Sequence, residues 1–265
     1  YRHGVDAVTL IMLRMLLALP LFLALAWWAG RGRELLTARD WRVVIGLGFC
    51  GYYLASFLDF AGLQYISASL ERLILYLNPT LVMMLGWLLF KRRVTRGQML
   101  AFAISYAGIL LVFGAELSLE GRDVLLGAAL VFGSALSYAV YLVYSGQEVQ
   151  RLGSLRLTGL ATSVACVLCI VQYLVLRPVS TAFELPPAVW WLSVLNAVAC
   201  TFAPVLMVMM AIERVGASVT AQAGMVGPVF TILLGVGLLG EPFTLWVAVG
   251  TALVMAGVAW LARLR

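Results

Sequence analysis

Residues 63–95 read LQYISASLERLILYLNPTLVMMLGWLLFKRRVT, and residues 212–244 read IERVGASVTAQAGMVGPVFTILLGVGLLGEPFT. The second stretch repeats features of the first at one constant offset of 149 residues. The matched positions are Ala68 with Ala217, Ser69 with Ser218, Pro79 with Pro228, Gly86 with Gly235, Thr95 with Thr244 and, further on, Gly108 with Gly257. One offset shared across three apolar stretches predicts an internal duplication.

The repeated segments belong to a chain made of long apolar runs. Of its residues 63% are hydrophobic and 11% charged, whereas soluble domains carry about a quarter charged residues. Runs of about 20 apolar residues span the bilayer as helices, and continuous runs argue against the alternation of barrel strands. The sequence therefore predicts an all-α, polytopic transmembrane helix bundle. We read nine spans: 5–29, 43–65, 70–90, 97–113, 124–145, 157–176, 188–212, 218–239 and 243–262.

The offset of the duplication also maps whole spans onto each other. It places the first four spans on the last four and leaves 124–145 without a partner, which would lie before Tyr1. We therefore expect an inverted repeat of five-helix units from which this chain lacks the first helix. The first repeat is 1–113 with four of its five helices, and the second is 124–265 with five. Five is odd, so the second unit enters the membrane upside down, as in many secondary transporters.

The basic residues predict the orientation. With the 29–43 loop in the cytoplasm, thirteen of the eighteen Lys and Arg residues fall on the cytoplasmic side and three outside. Such a bias is the positive-inside signal. All eight tryptophans also lie near predicted helix ends, where indole prefers the headgroup level. We expect a multi-pass protein of the cell inner (cytoplasmic) membrane with a cytoplasmic C-terminus. The net charge of +6 then reflects topology, and no nucleic-acid partner is expected.

Certain motifs within the two repeats resemble a known family. They are GLQYISASLER at 62–72 with Asn78-Pro79, and AIERVGAS at 211–218 with Gly227-Pro228 and Gly240-Glu241-Pro242. Over essentially its whole length the chain resembles EamA-type members of the drug/metabolite transporter superfamily. The resemblance implies ten helices, a central substrate cavity between two bundles, and export, less often uptake, of amino acids or similar polar metabolites. The chain departs from the pattern in its absent first helix and in Lys91-Arg92-Arg93, where the second repeat has Gly-Glu-Pro.

Two prolines point to a transport site. Pro79 and Pro228 lie near the middle of their spans, and each frees the carbonyl four residues earlier, at Leu75 and Gly224. At bilayer depth such carbonyls are tolerated only against protein or a water-filled cavity. A simple packing kink is the alternative. We favour the cavity because both repeats carry the proline.

Polar stripes at helical spacing complete the candidate site, and the one on the span 124–145 consists of Ser134, Ser137, Tyr138, Tyr141 and Ser145. The tyrosines among them can line a cavity or hydrogen-bond between helices, and the sequence leaves both readings open. Asn196 and Cys200 are weaker candidates. The candidate substrate-cavity residues are Arg14, Tyr52, Ser56, Asp59, Glu71, Asn78, Pro79, Tyr138, Tyr141, Thr220, Gln222, Gly224 and Pro228.

Charged residues within the spans are costly and usually paired. We expect Arg14 and Asp59, both about 9–14 Å below the outer surface, to form an ion pair. The pair is either structural, or Arg14 exchanges Asp59 for a substrate carboxylate. Glu71 has two readings: an acid favoured by a helix N-terminus, with Ser69 as the cap, or a gating or proton-titrating carboxylate.

The remaining features do not indicate an enzyme. The four cysteines lie inside apolar spans, His3 is the single histidine, and no nucleophile–base set is evident. We expect no catalytic residues, metal or cofactor, and as partners a small-molecule substrate and the lipid bilayer. A non-transporting scaffold or receptor subunit is the alternative, but it would not need duplicated prolines. The stripe Ala248, Ala252 and Ala256 permits either close helix contact or a homodimer.

Overall fold

The computed structural model describes residues 7–91, 95–120, 123–178, 185–223, 237 and 244–263. Within these residues every regular element is helical, which confirms the predicted all-α class. Two π-helical turns, Phe49–Leu54 and Asn196–Phe202, interrupt α-helices. The α-helices are α1 (Ala7–Gly30), α2 (Ala38–Gly48), α3 (Ala55–Gly62), α4 (Ala68–Leu75), α5 (Asn78–Phe90), α6 (Arg96–Glu120), α7 (Asp123–Leu152), α8 (Ser154–Leu176), α9 (Pro187–Leu195), α10 (Ala203–Val215), α11 (Ala217–Ala223) and α12 (Leu245–Arg263).

Six helical stretches among the described residues are long and apolar enough to cross a membrane. They are Val8–Gly30, Ala38–Gly62, Leu70–Phe90, Asp123–Leu152, Ser154–Leu176 and Pro187–Val215. The predicted spans 97–113 and 243–262 correspond to α6 and α12. The predicted span 218–239 begins as helix α11, and beyond Ala223 it lies outside the described residues apart from Gly237.

Several helices extend beyond the apolar runs that predicted them. Helix α2 begins five residues before the predicted 43, because Thr37 and Asp40 form a capping box. The Thr37 N–H donates to Asp40 Oδ2 at 2.8 Å, and the Asp40 N–H donates to Thr37 Oγ1 at 3.3 Å. Helix α6 continues to Glu120 and α7 to Leu152, since polar residues prolong a helix where an apolar run has ended.

The chain forms two compact units that do not follow the sequence repeats. Unit 1 comprises residues 1–56 and 144–217, and unit 2 comprises residues 57–143 and 218–265. The divisions fall inside α3, α7 and, after its first residue, α11. Each unit is therefore built from parts of both predicted repeats, 1–113 and 124–265.

Unit 1 is built around α1 and α8, which are equivalent helices of the two repeats. Met12 and Leu13 pack with Tyr173, while Ala26, at the other end of α1, lies against Gly159. The helices are therefore antiparallel. A Cβ at Gly159 would lie 2.6 Å from the Ala26 backbone nitrogen, so only glycine permits this approach.

Unit 2 contains a second pair of repeat-equivalent helices, α6 and α12. They cross where Gly108 faces Gly250 and Gly257 faces Ala101. The buried face of α12 thus carries Gly250, Val254 and Gly257, while Ala252 and Ala256 of the predicted small-residue stripe are exposed. The stripe does not form this crossing, and a homodimer stays a prediction.

Candidate functional site

The predicted irregularity at Pro79 is present as a break between α4 and α5. Helix α4 ends at Leu75, and Tyr76 and Leu77 form a tight right-handed turn with ψ angles of −15° and −14°. The Leu77 N–H donates to the Ile74 carbonyl at 3.0 Å, a 3₁₀-type bond. Because Pro79 has no N–H, the Leu75 carbonyl lacks its α-helical donor. The chain therefore leaves a backbone carbonyl without its α-helical bond within an apolar span.

Glu71 lies in the first turn of α4 and is only 1% exposed. Its Oε2 lies 3.2 Å from Arg72 Nε, and the Arg72 side chain is 33% exposed. The prediction that Ser69 caps this helix is wrong. The helix begins at Ala68, so the N-cap is Ser67, whose hydroxyl accepts the Leu70 N–H at 3.1 Å. Glu71 is thus a buried carboxylate compensated by its chain neighbour.

Two more polar atoms are buried at the start of α5. Asn78 Oδ1 and Thr80 Oγ1 are inaccessible to solvent and have no hydrogen-bond partner among the residues that the structure describes. No side chain caps this helix end either. Buried polar atoms without partners are unusual, so these two mark the break as a place with unused hydrogen-bonding capacity.

Helix α7 carries the predicted polar stripe on its buried side. Ser134, Ser137 and Tyr141 are buried and Tyr138 is half-buried. The Tyr138 and Tyr141 rings stack with centroids 5.7 Å apart and planes at 25°. The stripe faces other helices of the chain rather than lipid, which both readings of the tyrosines allow.

The other candidates of unit 2 are only partly described. Asp59 on α3 is half-buried, and Thr220 on α11 is buried. The Gln222 side chain, Gly224 and Pro228 lie outside the described residues, so their assignment stays a prediction.

Two of the three candidates of unit 1, Arg14 of α1 and Ser56, are in contact. Arg14 Nη2 donates to Ser56 Oγ at 3.5 Å, a long bond that brings two predicted residues together. Tyr52 lies in the π-helical turn that precedes Ser56. Asp59 belongs to unit 2, and its pairing with Arg14 stays a prediction.

The two π-helical turns overlap when the repeats are aligned. Adding 149 to Phe49–Leu54 gives 198–203, and the second turn is Asn196–Phe202. Pro204 follows the second turn and cannot donate to the Cys200 carbonyl. Within the turn, the Thr201 hydroxyl donates to the Asn196 carbonyl at 3.1 Å. Such turns often mark functional positions. Our sequence reading missed both, although Pro204 could have indicated the second.

A charged cluster at the loop end of unit 1 was also missed. Arg151 pairs with Asp40 and, at 2.9 Å, with Glu148. Glu213 accepts from the Ser154 N–H at 3.2 Å and from the Ser154 hydroxyl. These bonds join α2, the α7–α8 turn and the end of α10. The capping box and the spacing of Glu148 and Arg151 could be read from the sequence. The long-range partners of these residues could not.

Metal and thiol chemistry find no support in the part of the chain that the structure describes. No group of three or more His, Cys, Asp or Glu residues there could hold a metal ion. Cys166 is buried 3.7 Å from the Met15 sulfur, and Cys169 is buried nearby on the same helix. Both thiols are thus enclosed by the helices of unit 1.

Comparisons with known proteins agree with this architecture. The chain is 28% identical over 260 residues to "Uncharacterized transporter YcbK" of Bacillus subtilis (strain 168), covering 94% of this chain and 81% of that protein. It is 25% identical to an "Uncharacterized transporter" of Archaeoglobus fulgidus, covering 96% and 86%. A solved structure described as "Crystal structure of protein" matches with a TM-score of 0.70 at 21% identity, covering 99% of this chain and 90% of that one, and shows the shared fold.

The decisive match is to a family rather than to a single protein. The sequence model of the EamA-like transporter family matches residues 1–114 and again residues 125–263. The two matches together span nearly the whole chain. The helices within the matched ranges are those of a multi-pass membrane protein. This membrane transporter belongs to the EamA-like transporter family.

Proposed function

We propose that this membrane transporter moves small polar metabolites such as amino acids across the cytoplasmic membrane, in the direction of export. The observation that supports this most is the break between Leu75 and Asn78 in the middle of an apolar span. Backbone groups that lack their α-helical bonds are stable at membrane depth only against protein or a water-filled cavity. Interrupted helices of this kind supply the substrate sites of many secondary transporters.

The side chains near the break favour a polar cargo. Glu71, Tyr141 and Thr220 are buried in unit 2, and Asn78 and Tyr138 are partly buried. Polar side chains inside a membrane protein are costly unless they hydrogen-bond to one another or to a ligand. In unit 2 we assign the substrate-contacting role to Asp59, Glu71, Asn78, Pro79, Tyr138, Tyr141, Thr220, Gln222, Gly224 and Pro228. In unit 1 we assign it to Arg14, Tyr52 and Ser56.

The mechanism that fits an inverted repeat is alternating access. Both compact units contain a pair of repeat-equivalent helices, α1 with α8 and α6 with α12. When two halves of a protein can exchange conformations, the exchange converts an outward-facing state into an inward-facing one. The proposal places the 31–37 loop and the C-terminus in the cytoplasm, following the distribution of basic residues.

A flux experiment tests the function directly. The purified protein would be reconstituted in liposomes and screened against the twenty amino acids and related polar metabolites, with and without a pH gradient. We expect counterflow of at least one compound above protein-free liposomes. Absence of flux for every compound, from both sides and under both conditions, would contradict the proposal. A dependence on the pH gradient would identify proton coupling.

A further inference from the structure

One side of α8 is exposed between its two neighbours, α1 and α2. Helix α1 contacts α8 where Ala26 meets Gly159, and α2 contacts it where Gly48 meets Ala161. Gly159 and Ala161 are two positions apart, so they point in directions about 200° apart around α8. The arc between these directions carries apolar side chains that are exposed or half-buried: Leu160, Val167 and Val171. We call these three residues the α8 strip.

The two neighbouring helices extend this surface on both sides. Trp27 follows the contact residue Ala26 by one position, or about 100° around α1, and Phe49 follows Gly48 in the same way. Helix α1 is antiparallel to α8, whereas α2 is parallel to it, since α2 begins beside the end of α7 and reaches α8 at Gly48. With these directions, both rotations turn toward the α8 strip. The exposed side chains on these faces are Leu16, Leu23 and Trp27 on α1, and Trp41, Ile45 and Phe49 on α2.

Arg156 lies at the loop end of the α8 strip. It precedes Leu160 by four positions and therefore shares its face of the helix. Its Nε lies 3.9 Å from the position that a Cβ on Gly30 would occupy, and its Nη2 donates to the Glu34 carbonyl at 2.8 Å. The loop between α1 and α2 thus holds this side chain in place. The bond to Glu34 uses one of the five N–H donors of the guanidinium group.

Arg31 brings a second guanidinium group to the same end of the surface. It follows Gly30, and its Cζ lies 3.6 Å from the centroid of the Trp27 ring, which is itself exposed. A guanidinium group stacked on an aromatic face keeps its N–H donors at its edge. Arg31 is therefore held in one place while its donors stay available to a ligand.

The charge at this end of the surface is positive. Of the acids nearby, Asp40 and Glu148 are paired with Arg151, and Glu34 is exposed. That acid is outnumbered by three arginines: Arg31, Arg42 and Arg156. Basic side chains and tryptophan rings at the end of an apolar surface fit the phosphate of an anionic lipid. A zwitterionic lipid offers the same phosphate but adds an ammonium group that the arginines repel.

We propose that this surface binds one anionic phospholipid, with its phosphate between Arg31 and Arg156 and an acyl chain along the α8 strip. Arginine donates to phosphate oxygens through two parallel N–H groups. Both side chains lie next to the same turn of α1, residues 27–31, so one phosphate can contact both. The inference concerns lipid recognition and holds whichever solute is transported.

Native mass spectrometry of the purified, delipidated full chain tests the proposal. The probes are dioleoyl phosphatidylglycerol and dioleoyl phosphatidylethanolamine, which share their acyl chains and differ in headgroup charge. We expect the first phosphatidylglycerol to bind at least tenfold more tightly than phosphatidylethanolamine. Equal affinities of the two lipids would overturn the proposal.

A double variant locates the site. Arg31→Gln with Arg156→Gln should weaken phosphatidylglycerol binding by about tenfold to thirtyfold, as expected for two basic residues beside an anionic lipid. Lys91→Gln with Arg263→Gln is the matched control, because it removes the same charge from two exposed positions of unit 2. Binding to this control should stay within twofold of the original. Equal losses in both double variants would mean that binding follows net charge alone, and the site would be excluded.

A single variant separates lipid binding from the fold of the loop. Arg31→Gln leaves the bond between Arg156 and Glu34 intact and should weaken binding by about threefold to tenfold. Melting curves show whether each variant is folded. If Arg31→Gln is folded and binds phosphatidylglycerol as the original protein does, the proposed phosphate position is wrong.

A soluble headgroup distinguishes a lipid site from a site for free phosphate. Glycerophosphoglycerol in tenfold excess should not displace phosphatidylglycerol, because burial of the acyl chain supplies much of the affinity of a lipid. Displacement by the soluble headgroup would show that the α8 strip takes no part, and it would contradict the proposal.

Discussion

Gly108 of α6 and Gly257 of α12 occupy equivalent positions in one antiparallel helix crossing. A Cβ on Gly108 would lie 2.7 Å from the Gly250 carbonyl oxygen, and a Cβ on Gly257 would lie 2.7 Å from the Ala101 carbonyl oxygen. Both contacts have the same form because Gly108 and Gly257, like Ala101 and Gly250, are 149 residues apart. Interchanging the two repeats therefore converts the contact of Gly108 with Gly250 into the contact of Gly257 with Ala101. An antiparallel pair with this property has a local two-fold axis perpendicular to its helices.

The crossing predicts that Gly257→Ala destabilises the protein. The added methyl group would meet the Ala101 carbonyl and Ser105, so the helices must separate, at a cost of about 1–3 kcal/mol. Gly114→Ala in α6 is the control, because nothing lies within 4 Å of its Cβ position. That change should be neutral or stabilising, since alanine is the better helix former. Melting of the two purified variants in detergent measures the difference. Equal melting temperatures would contradict the tight crossing.

The helices and the lost helical bond were predictable from local sequence. Apolar runs alone indicate the spans, and Pro79 indicates that the Leu75 carbonyl loses its helical donor. Whether a break results depends also on the surroundings, since Pro20 leaves α1 unbroken. The start of α2 was predicted too late because its first turn, with Arg39 and Asp40, is polar and belongs to no apolar run. The Thr37 and Asp40 capping box is readable in the sequence but becomes decisive only once the helix is known to begin there.

Long-range partners could not be predicted in the same way. Asp40 and Arg151 are 111 residues apart, and nothing in either segment specifies the other. The π-helical turn at Phe49–Leu54 contains no proline, so it depends on packing that the sequence does not display. Which helices belong to each compact unit likewise depends on how the helices pack. The repeat boundary near 114–123 does not predict this division.

The pair between Asp40 and Arg151 should contribute to stability in a non-additive way. The Asp40 side chain is 4% exposed and that of Arg151 is 48% exposed, so removing Arg151 leaves a buried carboxylate with its capping bonds alone. We expect Asp40→Asn and Arg151→Gln each to lower the melting temperature, and the double variant to lose less than the two losses combined.

The control for this cycle is Asp123→Asn, which changes an exposed acid in the first turn of α7. It should leave the melting temperature close to that of the original protein and should combine additively with Arg151→Gln. Additive behaviour of Asp40→Asn with Arg151→Gln would show that the contact contributes nothing to stability.

Cysteine labelling tests the orientation. In a background without the four native cysteines, Leu35→Cys and Lys91→Cys place thiols in exposed positions on the predicted cytoplasmic side. A membrane-impermeant maleimide should label both only after the cells are permeabilised. Arg177→Cys, on the predicted outer side, should react in intact cells and serves as the positive control. Labelling of Leu35→Cys from outside would reverse the topology.

The last prediction concerns why the break at Pro79 exists. Pro20 lies inside α1, and that helix runs unbroken from Ala7 to Gly30, so a proline alone does not separate two helices in this chain. The break after Leu75 therefore reflects its surroundings as well as Pro79. Pro79→Ala returns an N–H to the Leu75 carbonyl and lets the α-helix continue through Tyr76 and Leu77.

We expect Pro79→Ala to melt at the same temperature as the original protein or higher, because a helical bond is regained and alanine favours the helix. Flux in liposomes should nevertheless fall by at least tenfold, since the carbonyl that the break leaves without a helical donor is then used internally. Pro20→Ala is the matched control and should keep flux within twofold. If Pro79→Ala transports normally, the break is a packing kink and the site must lie elsewhere. If it is instead unstable, the proline supports the fold, and the loss of flux says nothing about transport.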